Sequence, residues 1–443
     1  MLIFILFGLL VVIYALKNYQ KAFILYVGYR LFLNQNINFD LPGMPLLSLD
    51  FVLLSCLFAI YLLKRNKIEL DNTSFPLHKG IYIIAIVDII CCVFSLGGFV
   101  KTFPATLLRI YEMTFVYLIW RILTKDNVVF LLWVLFAVSA VISCYAFIEK
   151  SISTNPLYTY ELLLAGDRGS DMQYDELTDP RGYRVLSVFL HPIGAGFNFV
   201  LLGVLFIYSC YFVKTQKKYL FVFMSLILFS CSIFCNSRSP FVYFIALFPM
   251  ISKIRFKIGT FLLIIIVSFF VLPFILEDQY VDMVMSIFDI NNKSGFVGSD
   301  MNMRHSQFQA AWKIFIDYPI TGLGIRGYEL YPNQFIRAQL LGLESIWIQL
   351  MVQKGIIGIY AFCYFQVSVL RSKSTPFRKM CVFFLLIAYL GVISVTSIPG
   401  AFVYLHYLII IIVLKSKKWN AKRESFALYS PGNSCPCIQN RIL

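Results

Sequence analysis

Residues 127–148 read NVVFLLWVLFAVSAVISCYAFI and contain no charged side chain. A helix of this length can cross the hydrocarbon core of a bilayer, which is about 30 Å thick. Similar apolar runs recur from Leu2 to Leu414, and the whole chain is 59% hydrophobic and 14% charged, whereas soluble domains are about 25% charged. The sequence therefore predicts an all-α integral membrane protein.

The apolar runs predict about thirteen transmembrane helices. Because several runs are short or interrupted by proline or glycine, the expected number is about 12 to 14. The runs lie near residues 2–16, 22–34, 46–63, 80–97, 103–123, 127–148, 186–213, 219–235, 240–252, 258–276, 345–370, 378–395 and 400–414. They divide the chain into N-terminal transmembrane helices (1–148), a first loop (149–185), central transmembrane helices (186–276), a large loop (277–344), C-terminal transmembrane helices (345–414) and a tail (415–443).

Lysine-rich clusters occupy alternate connections between these runs. By the positive-inside rule such connections are cytoplasmic, so both long loops are predicted to face outward and the tail to face the cytoplasm. These clusters contain most of the excess basic residues that give the chain its formal net charge of +15. Because membrane topology explains them, the charge does not indicate nucleic-acid binding. The clusters comprise Lys17 and Lys21; Lys64, Arg65 and Lys67; Lys214, Lys217 and Lys218; Lys253, Arg255 and Lys257; Arg371, Lys373, Arg378 and Lys379; and Lys415, Lys417, Lys418, Lys422 and Arg423.

The two long loops and their flanks carry arginine where the opposite side carries lysine. Topology requires only positive charge, whereas the planar guanidinium group binds phosphate or carboxylate oxygens through paired hydrogen bonds. The set therefore indicates an anionic ligand, and ion pairing with acids of the same loops is the alternative for each arginine. The arginines are Arg168, Arg181, Arg184, Arg238, Arg304, Arg326 and Arg337, and the acids include Asp171, Asp175, Glu176, Asp179 and Asp300.

The later loop is predicted to be partly helical. Ser299 or Asp300 can cap a helix with one apolar face, formed by Phe308, Ala311, Trp312 and Phe315. Pro319 and three glycines then end it, and such a turn can bring backbone amides close to a ligand. The glycines are Gly322, Gly324 and Gly327.

The order of motifs from residue 180 to residue 365 resembles one family. Asn236-Ser237-Arg238-Ser239-Pro240 lies between two membrane helices. Arg304, Trp312, Pro319 and Gly322-Leu323-Gly324 follow in the long loop. Glu344-Ser345 then opens a helix that contains Gly355-Ile356-Ile357-Gly358. This arrangement resembles the O-antigen polymerase and ligase superfamily of bacterial envelope glycan assembly.

The resemblance implies an enzyme of the bacterial cell inner membrane that acts on its outer face. Its substrate would be an oligosaccharide linked through diphosphate to a polyprenyl lipid, for O-antigen of lipopolysaccharide or for capsule. No cofactor, nucleotide sugar or metal ion is implied, and the cysteines and the four histidines show no metal-ligand spacing. A chain-length regulator and a flippase are the protein partners implied.

Such a metal-independent glycosyltransferase must stabilise charge on the departing diphosphate and activate the acceptor hydroxyl. The resemblance places Arg238 and Arg304 nearest the diphosphate. Ligases of the family carry a histidine where this chain has Glu344, and a carboxylate can act as the general base instead. Helix capping is the alternative role for Glu344. This departure favours polymerase over ligase.

Three further residues are candidate substrate contacts. Arg184 matches another arginine position of the family. His191 could act as acid, base or phosphate contact, with a structural role at a proline-kinked helix start as the alternative. Arg326 follows the Gly-x-Gly turn and could bind phosphate or sugar, or form a surface ion pair.

Charged residues within the predicted helices suggest a competing function. Arg109 and Glu112 can pair on one helix face. Arg30 and Asp88 could pair across helices or line a polar cavity, because isolated charges are costly in hydrocarbon. Three hypotheses follow: a polymerase of lipid-linked repeat units, an O-antigen ligase, and, from another class, a transporter or flippase of lipid-linked sugars that uses these four residues.

Overall fold

The computed structural model describes residues 2–32, 38–39, 47–66, 75–165, 183–189, 191–212, 218–252, 301–325, 327–340, 343, 345–372, 374–396 and 401–428. These residues form the helices α1 (Leu2–Lys17), α2 (Tyr19–Tyr29), α3 (Leu49–Lys64), α4 (His78–Val93), α5 (Phe99–Ile122), α6 (Lys125–Ile152), α7 (Pro156–Ala165), α8 (Pro192–Phe212), α9 (Lys218–Phe234), α10 (Arg238–Ser252), α11 (Met301–Asp317), α12 (Gln334–Gln339), α13 (Ile346–Leu370), α14 (Pro376–Val395) and α15 (Ala401–Leu428). A 3₁₀ turn covers Gly327–Leu330, and the two-residue strands β1 (Asn38–Phe39) and β2 (Leu47–Ser48) pair antiparallel.

The predicted all-α membrane class is confirmed. Within the part of the chain that the structure describes, four helices are long and apolar enough to cross a bilayer, and shorter apolar helices accompany them. The quoted run lies within α6. The four spans are Asn127–Ile152, Pro192–Cys210, Ile346–Leu370 and Pro376–Val395. The helix predicted at 258–276 lies outside the described residues.

Helix α8 forms the centre of the bundle. Its apolar span is 89% buried, whereas the other three spans are 39 to 50% buried. It packs against α9, α10 and α15, and Ser225 Oγ on α9 donates to Gly203 O at 3.0 Å. The more exposed spans present apolar side chains outward, as expected for lipid contact.

Side-chain contacts show which helix ends meet. Phe197, near the start of α8, packs against Phe402, near the start of α15, with ring centroids 5.1 Å apart and the rings tilted by 43°. Tyr243, near the start of α10, lies 5.6 Å from Phe402. Trp347 Nε1, at the start of α13, donates to Ser394 Oγ, at the end of α14, at 2.7 Å. We call this end of the bundle, which carries the described residues 93–98, 183–189, 234–238, 318–325, 327–340, 343 and 345–346, the loop end.

The first predicted loop is shorter than expected because helices occupy part of it. Helix α6 continues to Ile152, and α7 begins at Pro156. Asn155 caps α7, since its Oδ1 accepts from Tyr158 N at 2.9 Å. Proline suits the first turn of a helix, so the Asn155-Pro156 pair is the signal that sequence reasoning missed.

Candidate functional site

Helix α13 is broken inside the membrane region at Gly355, where φ is 57° and ψ is −154°. The segment 319–324 docks into the break. Leu323 N donates to Val352 O at 2.8 Å, Gly324 N donates to Gln353 O at 3.1 Å, and Ile356 N donates to Pro319 O at 2.8 Å. Buried backbone groups at membrane depth must find partners within the protein. The segment therefore satisfies groups that the break would expose.

Glycine is required at two positions of this junction. A Cβ on Gly322 (φ +61°) would lie 2.6 Å from Lys354 N, and one on Gly355 would lie 2.4 Å from Ile320 O. Both contacts are with backbone, which cannot move aside locally. The backbone of the Gly-x-Gly turn does come close to another group, as expected, but that group is the backbone of α13. The amides of Leu323 and Gly324 are hydrogen-bonded to α13, so these two groups are used to hold the junction together.

A cavity of about 700 Å³ lies beside the broken helix, lined by residues of α4, α5, α13, α14 and α15. Its volume falls within the usual range for small-molecule sites, roughly 300 to 1,000 Å³. The lining combines apolar side chains with charges, amides and phenols. The polar and aromatic lining residues include Arg30, Asp88, Arg109, Glu112, Tyr328, Gln349, Gln353, Lys354, Tyr389, Thr396, Tyr404 and Tyr407.

Two ion pairs hold the walls of this cavity. Lys354 on α13 pairs with Asp88 on α4, and both residues are buried. Arg30 pairs with Asp50, with Nη2 and Oδ2 2.9 Å apart. The Arg30 guanidinium also lies over the Phe115 ring, 4.4 Å from its centroid. Both charges that sequence analysis left isolated, on Arg30 and Asp88, therefore have partners on neighbouring helices.

Arg109 and Glu112 both face the cavity. Arg109 Nη2 donates to Gln353 Oε1 on α13 at 3.0 Å. The Glu112 charge interacts with those of Arg30 and Arg109. This hydrogen bond therefore joins α5 to α13, two residues before the break at Gly355.

The lining at the loop end includes Ile325, Tyr328, Leu343 and Ile346. Two candidate site residues, Arg326 and Glu344, lie outside the described residues. The residues that precede them in sequence, Ile325 and Leu343, line the cavity. Ser345, next to Glu344, caps α13 by accepting from Trp347 N at 3.3 Å. The capping side chain at this helix start is therefore Ser345.

Arg184 supports the turn that precedes Arg238. Val185 N donates to Phe234 O at 3.1 Å, which aligns residues 183–187 with the turn between α9 and α10. Arg184 is 2% exposed; its Nε donates to Cys235 O at 3.2 Å, and a terminal nitrogen donates to Ser237 Oγ. Arg238 is the next residue and begins α10. Arg184 thus supports the turn that presents Arg238.

Glu149 fixes the same segment from the other side. Its Oε1 accepts from Leu186 N and its Oε2 accepts from Ser187 N, both at 2.7 Å. Nearby, His191 is exposed. Its Nδ1 accepts from Ile193 N at 3.2 Å, which is a structural contact in the first turn of α8.

Arg304 lies in α11, which confirms the predicted loop helix. The predicted apolar face is divided between the protein interior and the surface. Ala311 is buried and Phe315 packs against the core cluster, but Phe308 and Trp312 are exposed. The buried row instead consists of Ala310, Ala311 and Ile314, and it packs against α13.

The end of α11 is tied to the following segment. Tyr331 Oη donates to Asp317 Oδ2 at 2.6 Å. This hydrogen bond, together with burial, raises the pKa of Tyr331 to about 12. The phenol therefore stays protonated at neutral pH and keeps donating. Arg337 Nη1 donates to Glu329 O at 2.7 Å and braces the same segment.

Comparison with known proteins gives one family. Residues 220–363 match the O-antigen ligase family. The matched region includes Arg238, Arg304, the docked segment 319–324 and the break at Gly355. It lies within the region that carries the resemblance in sequence, and it supports the resemblance to the O-antigen polymerase and ligase superfamily. No curated protein matches the chain.

Proposed function

From the place of this chain in the O-antigen ligase and polymerase superfamily, we propose that it is the polymerase of lipid-linked oligosaccharide repeat units. Members of the family are glycosyltransferase-like enzymes. The proposed reaction moves a growing glycan from its polyprenyl diphosphate anchor to the terminal sugar of another lipid-linked unit. The loop end would face outward at the bacterial inner membrane, with the C-terminus in the cytoplasm.

The observation that carries the proposal is the cavity beside the broken helix. It lies in an apolar helical bundle, contains three basic and two acidic side chains, and is reached by the neighbours of Arg326 and Glu344. A chamber whose lining combines apolar and charged side chains suits a substrate whose lipid stays in the bilayer while its sugars do not. In this proposal, Arg238 and Arg304 both act on the outward-facing side of the membrane.

The proposed chemistry is a displacement at the anomeric carbon of the donor. An oxygen of the acceptor sugar forms the new bond to that carbon, and the bond to the diphosphate oxygen breaks. The hydroxyl proton goes to the Glu344 carboxylate, acting as general base. The diphosphate leaves on its polyprenyl lipid, and its added negative charge is stabilised by Arg238 and Arg304. The proposal needs no metal ion.

Two alternatives are each favoured by one observation. The matched family is described by its ligases, which favours transfer of finished glycan to a lipid A core or a protein. The cavity brings together Arg30, Asp88, Arg109 and Glu112, which is what a transporter of lipid-linked sugars would need. Sequence favours polymerase because Glu344 stands where family ligases have histidine.

Deletion of the gene separates the three functions. Loss of a polymerase leaves surface glycan that carries a single repeat. Loss of a ligase leaves full-length polymer on the carrier lipid. Loss of a flippase leaves single repeats on the carrier lipid and none at the surface. A normal ladder of chain lengths in the deletion strain, resolved on a gel, would overturn the proposal.

A further inference from the structure

Helix α11 carries three rows of side chains along its length. The buried row of Ala310, Ala311 and Ile314 is at most 1% exposed and packs against α13. The small side chains bring the two helices close together. The remaining faces of α11 point away from this contact.

An apolar row occupies one of those faces. Phe308 and Trp312 are each 47% exposed, and Ile316 is 62% exposed. The Phe308 and Trp312 rings stack with centroids 6.3 Å apart and an 18° angle between planes. The row continues past the helix end to Ile320, which is also 62% exposed. We call these four residues the apolar ridge.

Polar residues border the ridge along one side. His305, Gln309, Lys313 and Asp317 form the adjoining row at four-residue spacing, and all are exposed. His305 and Gln309 are hydrogen-bonded through their side chains at 2.8 Å. On its other side, Phe315 stacks against Trp312 with ring centroids 5.6 Å apart, and the buried row follows, so the ridge is narrow. This shape suits a linear apolar ligand.

The ridge connects a cation to the membrane-facing surface. Arg304 precedes Phe308 by one helical turn on the same face, and Arg304 and Ile316 are separated by about 18 Å along the axis. At the other end, Ile357 N donates to Ile320 O at 3.4 Å. The neighbouring Ile356 on α13 is 51% exposed, so the exposed apolar surface continues onto a membrane-spanning helix.

We propose that the apolar ridge seats the polyprenyl chain of the lipid-linked diphosphate, with the diphosphate at Arg304. This inference rests on the proposed function and adds a path for the lipid. The chain passes from the bilayer at Ile356 and Ile320 along Ile316, Trp312 and Phe308. An anionic head joined to a long apolar chain matches a cation at one end of a narrow apolar row. Burial of the two aromatic side chains supplies most of the contact.

The test uses the purified full chain in phosphatidylcholine nanodiscs and a polyprenyl diphosphate with a diazirine in its chain. Photolabelling is expected on residues 301–320, located by mass spectrometry. The double variant Trp312→Ser/Ile316→Ser is expected to lose at least about tenfold of that labelling, because two apolar contacts of the chain are removed. Phe223→Ser, which changes a 61% exposed side chain on α9, should label like the parent.

Three results would overturn the proposal: no adduct on residues 301–320, equal labelling of the double variant, or equal labelling of the ridge by a diazirine phospholipid. The last would show that bulk bilayer covers the ridge. An unchanged unfolding temperature of the double variant excludes misfolding as the cause of lost labelling. Photolabelling measures binding and needs no turnover. Its result can therefore fail or succeed independently of the result from the deletion strain, which tests the proposed function.

Discussion

At the scale of single residues, the paired arginines of the turn between α9 and α10 have different roles. Arg184 is buried and binds Cys235 O and Ser237 Oγ, so it holds the turn in place. Arg238 starts α10 and is half-buried. In the proposed mechanism Arg184 is therefore a positioning residue, whereas Arg238 contacts the diphosphate.

Replacement of Arg238 or Arg304 by lysine should reduce polymerisation nearly as much as replacement by alanine. Lysine keeps the charge but cannot form paired hydrogen bonds to phosphate. The expected loss is about 10- to 100-fold, as for a lost hydrogen bond to a charged group. Chain-length ladders would be compared at equal amounts of protein in the membrane. Full activity of both lysine variants would remove these arginines from the site.

Replacement of Glu344 by glutamine should lower the rate about 10²- to 10⁴-fold, because glutamine keeps the size and loses the basicity. Binding of the lipid-linked substrate should change little. Glu329→Gln makes the same chemical change at an exposed side chain and serves as the control. Equal turnover of Glu344→Gln and the control would contradict the proposed base.

Sequence reasoning noted four charged residues in the predicted helices but missed Asp50 and Lys354, which are the ion-pair partners of two of them. Lys354 is a lone lysine in an apolar helix and could have been noted as costly in hydrocarbon. Its partner Asp88 is far away in sequence, and nothing local indicates the pairing. Likewise, arginine patterns suggested Arg184 as a ligand contact, whereas its bonds to the turn depend on tertiary structure.

At the scale of elements, the junction of the segment 319–324 with the broken helix α13 is the most specific feature. Gly322→Ala should destabilise the protein by at least about 2 kcal/mol, because a side chain there has an unfavourable backbone conformation and clashes with α13. Thermal unfolding in detergent would measure it. Gly391→Ala, where an added Cβ meets nothing within 4 Å, should cause no loss. Equal unfolding temperatures for the two variants would contradict the described junction.

The ion pair between α4 and α13 gives a second test. Asp88→Asn leaves the buried Lys354 without its counter-charge and should cost about 3 to 5 kcal/mol. The double variant Asp88→Asn/Lys354→Met should recover most of that loss, because no buried charge remains. Unfolding temperatures of the single and double variants provide the comparison. If the double variant is as unstable as Asp88→Asn, the ion pair does not account for the stability of the contact between α4 and α13.

Most described helices were predictable from the apolar runs, since membrane-spanning length and hydropathy need no tertiary information. The break at Gly355 was not. The Gly355-Ile356-Ile357-Gly358 motif reads as ordinary small residues in a membrane helix, and only the docking of the segment 319–324 explains it. Which row of α11 packs against α13 was likewise not predictable, because the burial of Ala310, Ala311 and Ile314 depends on tertiary structure.

At the scale of the whole molecule, the cavity and the loop helix α11 both lie against the broken helix α13. The cavity is enclosed by helices from both halves of the chain, including α4 and α5 as well as α13 to α15. The match to the O-antigen ligase family begins at residue 220, so α4 and α5 contribute cavity walls from outside it. Differences among related enzymes in the nature of the acceptor are expected to map to these helices.

The most direct measurement uses the purified chain with a single lipid-linked repeat unit as the only substrate. The account predicts a ladder of longer lipid-linked glycans, with one polyprenyl diphosphate released for each bond formed. Added lipid A core should not be needed. A substrate that stays unchanged until lipid A core is added, and then appears on it, would contradict the proposed polymerase and identify a ligase.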